Sequence, residues 1–412
     1  MGKIVFLTII FFSVGYCQGN YPPVVTCGAD ELLAHHKDLI VGKRIGLITN
    51  QSAVLADGRR LSDVLARDSD VKLIALFSPE HGIQGLKAEG ASVQQMRDSA
   101  AGIPVYSLYG AVQKPTEEML KGVDVLIFDV QDVGARFYTF LSTMLLAEEA
   151  AAEHGIPFLV LDRPNPIRGI IMEGPLRDDS LRSFVGWPPI PIAHGMTIGE
   201  LAAMANGEGW LKNGLKSKLT VITMKRWKRT MWYDETGLQW IPPSPNMPTI
   251  QTAIVYPGTC LIEGTNVSEG RGSEKPFEYI GAPWVDEQQL AQMLNNDSLP
   301  GVSFQPITFV PSVRKEASRD LKYKGALCRG VFINVTARDF YHPVETGIAL
   351  LCALQALFPA HFQMHNHQID LLIGAPTVRE MISRQVPFHL IVGSWSNELS
   401  HFGEKRRKYL LY

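Results

Sequence analysis

Cysteine is scarce, with five in 412 residues. No two form a C-x-x-C pair and none has zinc-site spacing, so a sulfur-ligated metal is not expected. Neither sign of charge dominates: 39 Lys and Arg face 41 Asp and Glu, a formal net charge of −2. A nucleic-acid binder would carry a basic face, and none is expected here. The one concentrated basic run, "EKRRKY" (Glu404–Tyr409), reads as a solvated helix end or tail. Beyond the first twenty residues no apolar run is long enough to span a bilayer. Several signatures are also missing. There is no G-x-G-x-x-G after the first strand, no phosphate-binding G-x-x-x-x-G-K-[ST], no G-x-S-x-G elbow and no H-E-x-x-H. These absences argue against a nucleotide cofactor, a serine hydrolase and a zinc protease. "HFQMHNH" (His361–His367) reads as a surface feature, and His35 and His36 lie in a leading helix. No cofactor and no metal are expected.

What is present is a chain rich enough in apolar residues to build a core: 46% apolar and 19% charged. Its length suits two domains. The N-terminus has the layout of a secretory signal, with Lys3 as a positive start and Ile4 to Tyr16 as an apolar stretch. Residues 1–19 are therefore expected to be a signal peptide, and the protein to be exported to the periplasm or the outside. Cleavage near Gly19 is favoured over lipidation at Cys17, because bulky Tyr16 precedes that cysteine; a membrane anchor follows only if Cys17 is lipidated. Export would permit one disulfide among Cys27, Cys260, Cys328 and Cys352.

Residues 25–205 alternate strand and helix. "RIGLIT" (Arg44–Thr49), "VKLIALF" (Val71–Phe77), "IPVYSLY" (Ile103–Tyr109), "VDVLIFDV" (Val123–Val130) and "IPFLVLD" (Ile156–Asp162) read as buried strands. Helices are expected at Arg59–Asp68, Pro115–Gly122, Tyr138–Gly155 and Thr197–Leu211, the last opened by a Thr197/Glu200 capping box. Near-continuous apolar strands between helices indicate a parallel sheet covered on both faces. The fold class is α/β: a Rossmann-like domain at 25–205, then a smaller α+β domain at 206–412. The second contains a strand at Leu219–Met224, a proline-rich loop "WIPPSPNMPT" (Trp240–Thr249), a glycine-rich charged segment (Val267–Trp284), a strand at Gly330–Thr336 and helices at Asp286–Asn296 and Val344–Phe358.

Open α/β sheets bind ligands beyond the carboxyl ends of their strands. Those ends carry Asn50, Glu80 with His81, Asp129 with Asp132, and Asp162, Arg163 and Asn165. Asp at a strand end commonly caps the next helix, so Asp129 and Asp162 read as structural. Glu is a poor cap, and Glu80 lies in "SPEHGIQG" beside Gly82 and Gly85, which let a ligand approach. Glu80 is therefore the favoured functional acid. In the second domain Glu263, Glu269, Glu274 and Glu278 surround Arg271 on a segment that reads as a binding loop. Trp187, Trp240 and Trp284 lie in proline-rich loops, as packing residues or as surfaces for sugar rings.

The stretches "GLITNQSA", "FSPEHGIQG", "DVLIFDVQDVGARFYTF", "LDRPNP", "HGMTIGELA", "PPSPNMPT", "YPGTCLIEGTNVSEGRGSEKPFE" and "PVETG" resemble a bacterial family of exo-β-N-acetylmuramidases, from about residue 25 to the end. The resemblance implies a Rossmann-like domain, a smaller C-terminal domain and a cleft between them. It implies release of N-acetylmuramic acid from the non-reducing end of peptidoglycan-derived oligosaccharides or muropeptides. It places the family's glutamate on Glu80 and brings Asp132, Arg136 and Tyr138 toward the same cleft. Glu80 is then expected to act as general acid with Asp132 as second carboxylate and Tyr138 tuning them. Asn50, His81, Arg136, Arg163, Asn165, Glu263, Glu269 and Arg271 are expected to bind substrate, the arginines being candidates for a muramyl carboxylate. The rival expectation is a non-catalytic envelope sugar-binding protein.

Overall fold

The computed structural model describes residues 24–85, 96–97 (backbone only), 102–313 and 321–412; the signal-like segment and Cys17 lie outside the described residues. Seven strands make the first sheet: β1 (Arg44–Thr49), β2 (Lys72–Ser78), β3 (Met96–Arg97), β4 (Pro104–Ser107), β5 (Val125–Asp129), β6 (Phe158–Leu161) and β7 (Leu219–Ile222). They lie in the order β3-β4-β2-β1-β5-β6-β7, all parallel except β3 against β4. Every residue of β5 and β6 is buried, as a sheet covered on both faces requires. The helices of this part are α1 (Gly28–His35), α2 (Leu61–Arg67), α3 (Thr139–Glu153) and α4 (Ile198–Glu208). In α3 the run Phe140–Ala151 is buried without a break, the mark of a helix packed on all sides. The capping box of α4 forms as its sequence predicts: Thr197 Oγ1 accepts from the Glu200 N–H, and Glu200 Oε2 accepts from the Thr197 N–H.

The second sheet is antiparallel, β8 (Tyr279–Ala282), β9 (Val302–Phe309) and β10 (Cys328–Val335) in the order β8-β10-β9. Around it lie α5 (Ile250–Thr259), α6 (Glu287–Asn296), α7 (Pro343–Leu357), α8 (Asn366–Ile373), α9 (Pro376–Ser383), α10 (Phe388–Gly393) and α11 (Ser396–Arg406). Helices α5 and α7 cross with their backbones in contact. A Cβ on Gly347 would come within 2.4 Å of the Gly258 carbonyl oxygen, so only glycine fits. That crossing fixes the chain just before Cys260–Glu263.

One apolar core runs through both parts, joining Phe128 and Met144 to Ile262 and Leu350. The boundary drawn near residue 206 falls within the last turn of α4, and the first sheet reaches across it to take β7 as its edge strand. Two local expectations are corrected. Pro115–Gly122 is a series of turns rather than a helix; Leu120 N–H reaches Thr116 O, but the next bonds are Lys121 to Glu118 and Val123 to Leu120. The basic run is not wholly solvated: Arg406 is buried and donates to the carbonyls of Gly169, His194 and Gly195, tying the C-terminal helix back onto the first domain.

Candidate active site

The chain leaves β2 through Pro79 and turns at once. His81 adopts φ 69°, Gly82 φ 75° and Gly85 φ 63°, with Gly82 N–H bonded to Pro79 O. A histidine in the left-handed region is strained, and such strain persists where the surroundings over-determine it. The turn aims Glu80 inward, where it is buried and its Oε2 accepts a 2.7 Å hydrogen bond from Thr139 Oγ1 at the start of α3. Glu80 and His81 line a crevice shared with the second domain. Tyr138, Tyr256 and Phe277 form its aromatic walls, edge to face: Tyr138–Tyr256 at 5.8 Å and Tyr256–Phe277 at 4.8 Å. Phe277 is itself left-handed, φ 64°.

Across the crevice stand Glu263 and Arg271. Arg271 Nη2 lies 2.5 Å from Glu263 Oε1 and its Nε lies 3.3 Å from Glu269 Oε1. Lys322 Nζ is 3.1 Å from the other Glu269 oxygen, and the Arg271 guanidinium covers the Phe277 ring at 5.0 Å. Burial, then the neighbouring Glu269 carboxylate, push the Glu263 carboxyl up to about 8, with Lys322 opposing and Glu80 adding to the rise. A protonated Glu263 still accepts from Arg271 on Oε1 while carrying its proton on the other oxygen, so the short contact and the raised proton affinity are compatible. Burial lowers Arg271 to about 10, leaving it charged at neutral pH. Burial also raises the Tyr138 phenol, so Tyr138 holds its proton and does not act as a base.

Glu80, His81, Tyr138, Glu263 and Arg271 therefore meet, with Glu269 bracing Arg271. The other expected site residues are used by the fold. Arg136 is fully buried at the joint between the domains, and its terminal nitrogens donate to the carbonyls of Pro175, Ile190, Leu372 and Ile373. It has no terminal nitrogen to spare for a substrate carboxylate, which corrects the substrate-binding expectation. Arg163 is likewise withdrawn: its Nε and Nη2 clamp Asp129 at 2.6 and 3.0 Å, and Nη2 also reaches Val54 O. Asn165 binds Met196 O and Ile167 N–H, and Asn50 folds its Oδ1 onto Ser52. Asp132 is buried but does not line the crevice; its Oδ2 accepts from Gly134 N–H and lies 3.7 Å from His194 Nε2. Asp162 is a hub for Thr197, Gly199 and Tyr412, as its structural reading predicts. Glu278 binds Thr252 and Lys275. Cys27, Cys260, Cys328 and Cys352 are free thiols, and Cys260 lines the crevice.

The sequence reading missed Ser244, Asn246 and Met247, which line the crevice from the proline-rich loop. The prolines were the available signal. They hold a loop with no regular structure against the site, pinned by Gln51 Nε2 to the Pro242 and Pro243 carbonyls and by Trp240 Nε1 to Met247 O. Trp240 braces, while Trp284 stacks on His361, bonds Tyr323 and does not line the crevice.

The geometry coincides with a match over almost the whole described chain. The family model described as exo-β-N-acetylmuramidase NamZ, N-terminal, matches residues 45–251, and its C-terminal counterpart matches 254–412. The chain belongs to the NamZ exo-β-N-acetylmuramidase family. It is 47% identical over 391 residues to the peptidoglycan β-N-acetylmuramidase NamZ of Bacillus subtilis (strain 168), covering 95% of this chain and 92% of that one. Two crystal structures of DUF1343 family proteins from Bacteroides fragilis NCTC 9343 share its fold. The first has a TM-score of 0.87 at 38% identity, the second 0.77 at 33%; each comparison covers 95% of this chain, and 100% and 99% of theirs. In this NamZ-family chain the crevice joins the two matched regions, Glu80 coming from the first and Glu263 with Arg271 from the second.

Proposed function

We propose that the protein is an exo-acting glycoside hydrolase that releases N-acetylmuramic acid from the non-reducing ends of peptidoglycan-derived glycans. Family membership and the NamZ relative support the activity. The observation that carries the assignment of the site is the crevice in which Glu80 and Glu263 face each other's field with Arg271 among them. Glycosidases use two carboxyl groups, one giving a proton to the leaving oxygen and the other answering the positive charge that grows at the sugar. Glu263, raised to about 8, carries the proton at neutral pH and gives it to the leaving oxygen as the glycosidic bond breaks. Glu80, its orientation fixed by Thr139, supplies the opposing negative charge. This exchanges the role first expected for Glu80 and moves the second carboxyl from Asp132 to Glu263. Arg271, engaged through Nη2 with Glu263 and through Nε with Glu269, keeps two carboxyls tolerable in one buried space. A binding protein would need the polar crevice but no carboxyl with a raised proton affinity. Export to the envelope, where such glycans lie, fits the signal-like N-terminus.

Incubation of the purified protein with a muramic acid–glucosamine disaccharide, followed by mass spectrometry, tests the reading. Free N-acetylmuramic acid is the expected product, and none is expected when the non-reducing end is blocked. Saturable binding without product would favour the sugar-binding alternative.

A further inference from the structure

A hollow of about 620 Å³ lies apart from the Glu80 crevice. Its walls include Trp187, Trp210, Arg177, Arg182 and Lys212. Two indoles and three cations around one hollow form an unusual surface. The Arg182 guanidinium lies over the Trp187 ring, 4.1 Å from its centroid, and makes no hydrogen bond among the described residues. Arg177 is buried; it donates to Asp178 O and to the fully exposed Asp179 carboxylate at 3.2 Å. Burial first, and then the like charge of Arg182, pull its proton affinity down, with Asp179 opposing. Two buried donors on these walls, Arg177 Nε and Trp187 Nε1, find no acceptor among the described residues. Glu149, the remaining acid on the walls, is already engaged by Lys114 Nζ and the Lys212 N–H. The arrangement thus has a surplus of cation and donor beside flat aromatic faces. Guanidinium forks match carboxylates, and aromatic faces accept sugar rings.

The hollow is joined to the crevice by one short loop. Arg182 and Trp187 line the hollow, while Val185 between them lines the crevice. Phe184 packs on Tyr109 of the crevice at 5.8 Å.

We propose that this hollow is a second, non-catalytic site that holds a carboxylate-bearing part of the glycan beyond the sugar being released. The inference rests on the muramidase reading. The carboxylate is either a free lactyl group on a further muramic acid or a group of an attached peptide stem.

The test compares wild-type protein with Arg182→Ala and Trp210→Ala on three substrates: a short chromogenic muramide, a glycan chain stripped of peptides, and the same chain with stems. Neither residue lines the crevice, so kcat/KM on the short muramide is expected to stay unchanged, which also reports correct folding. KM on long substrates is expected to rise about tenfold, the loss of one charge-assisted contact. A rise on the stripped chain identifies the lactyl carboxylate, and a rise confined to the stem-bearing chain identifies the stem. Unchanged KM on both long chains overturns the proposal, as does an equal loss on the short muramide. If the wild type cleaves nothing, the muramidase reading has failed instead. Titration of wild-type and Arg182→Ala protein with the stripped and stem-bearing chains then decides the hollow on its own, binding weakened by the substitution supporting it and equal binding overturning it.

Discussion

Two groups of charged side chains stand at the carboxyl edge of the same parallel sheet. At β5 and β6, Asp129 is clamped by Arg163, and Asp162 accepts from Thr197, Gly199 and Tyr412. At β2, Glu80 opens on a crevice that also holds Glu263 and Arg271 from the other domain. Residue types, positions relative to the strands and burial are alike in the two groups. Both groups find partners within the protein; what differs is the space beside them. In the first group the charges only hold the fold; in the second the carboxyls also flank a space that a sugar can enter. The difference teaches that charge at a strand end marks a site only where a hollow lies beside it.

The comparison can be broken at its structural side first. Asp129→Ala leaves the Arg163 guanidinium buried without its counter-ion, and should cost about 3–5 kcal/mol of stability, read by denaturant unfolding. Activity per folded molecule should survive. A stable variant that has lost turnover would place Asp129 in the chemistry.

The catalytic side is sharpened by Glu263→Gln. Loss of its proton should lower kcat/KM on the natural disaccharide by about 10²-fold, a typical general-acid contribution. On a nitrophenyl muramide, whose leaving group needs no proton, the loss should be several-fold at most. In the wild type, the disaccharide rate should fall as pH rises through about 8, where Glu263 gives up its proton. Equal losses on both substrates would remove Glu263 from the acid role.

The smallest effect on turnover concerns Glu148, which burial also raises to about 8, although its partner is Ser217 and it does not line the crevice. The folded chain here binds a proton that the unfolded chain releases near pH 4.5. Its stabilising contribution is therefore complete below that pH and is lost as pH rises through about 8. Glu148→Gln should remove this decline, making the variant's stability relative to its parent about 3 kcal/mol greater at pH 8 than at pH 5, with turnover unchanged. Such a result would show that a raised proton affinity without a hollow is not a catalytic feature.

Much of this is legible in the sequence. Strands buried on both faces wrote the parallel sheet in Ile, Leu, Val and Phe, and the Thr197 box marked the start of α4. Glu80 stood out because a glutamate between proline and glycines has no capping reason to be there. Arg136 and Arg163 look, in sequence, like guanidiniums awaiting a substrate, because their partners are remote: Arg136 finds two of its four carbonyls on α8, more than 200 residues away, and Arg163 finds its carboxylate on Asp129. Glu263 was legible as a candidate but not as the partner of Glu80. That pairing depends on the α5–α7 crossing, which no local pattern displays. Trp187 reads in sequence as a packing residue or a surface for a sugar ring, and its hollow depends on Trp210 and Arg177 arriving from separate loops.

The most direct measurement sets Glu80→Gln beside Asp132→Asn, both assayed on the muramic acid–glucosamine disaccharide with melting temperatures recorded in parallel. Glu80→Gln is expected to fold with an unchanged melting temperature and to lose about 10³-fold or more in kcat, while Asp132→Asn keeps most of its turnover. Normal release of N-acetylmuramic acid by Glu80→Gln, with activity abolished in a folded Asp132→Asn, would contradict the account.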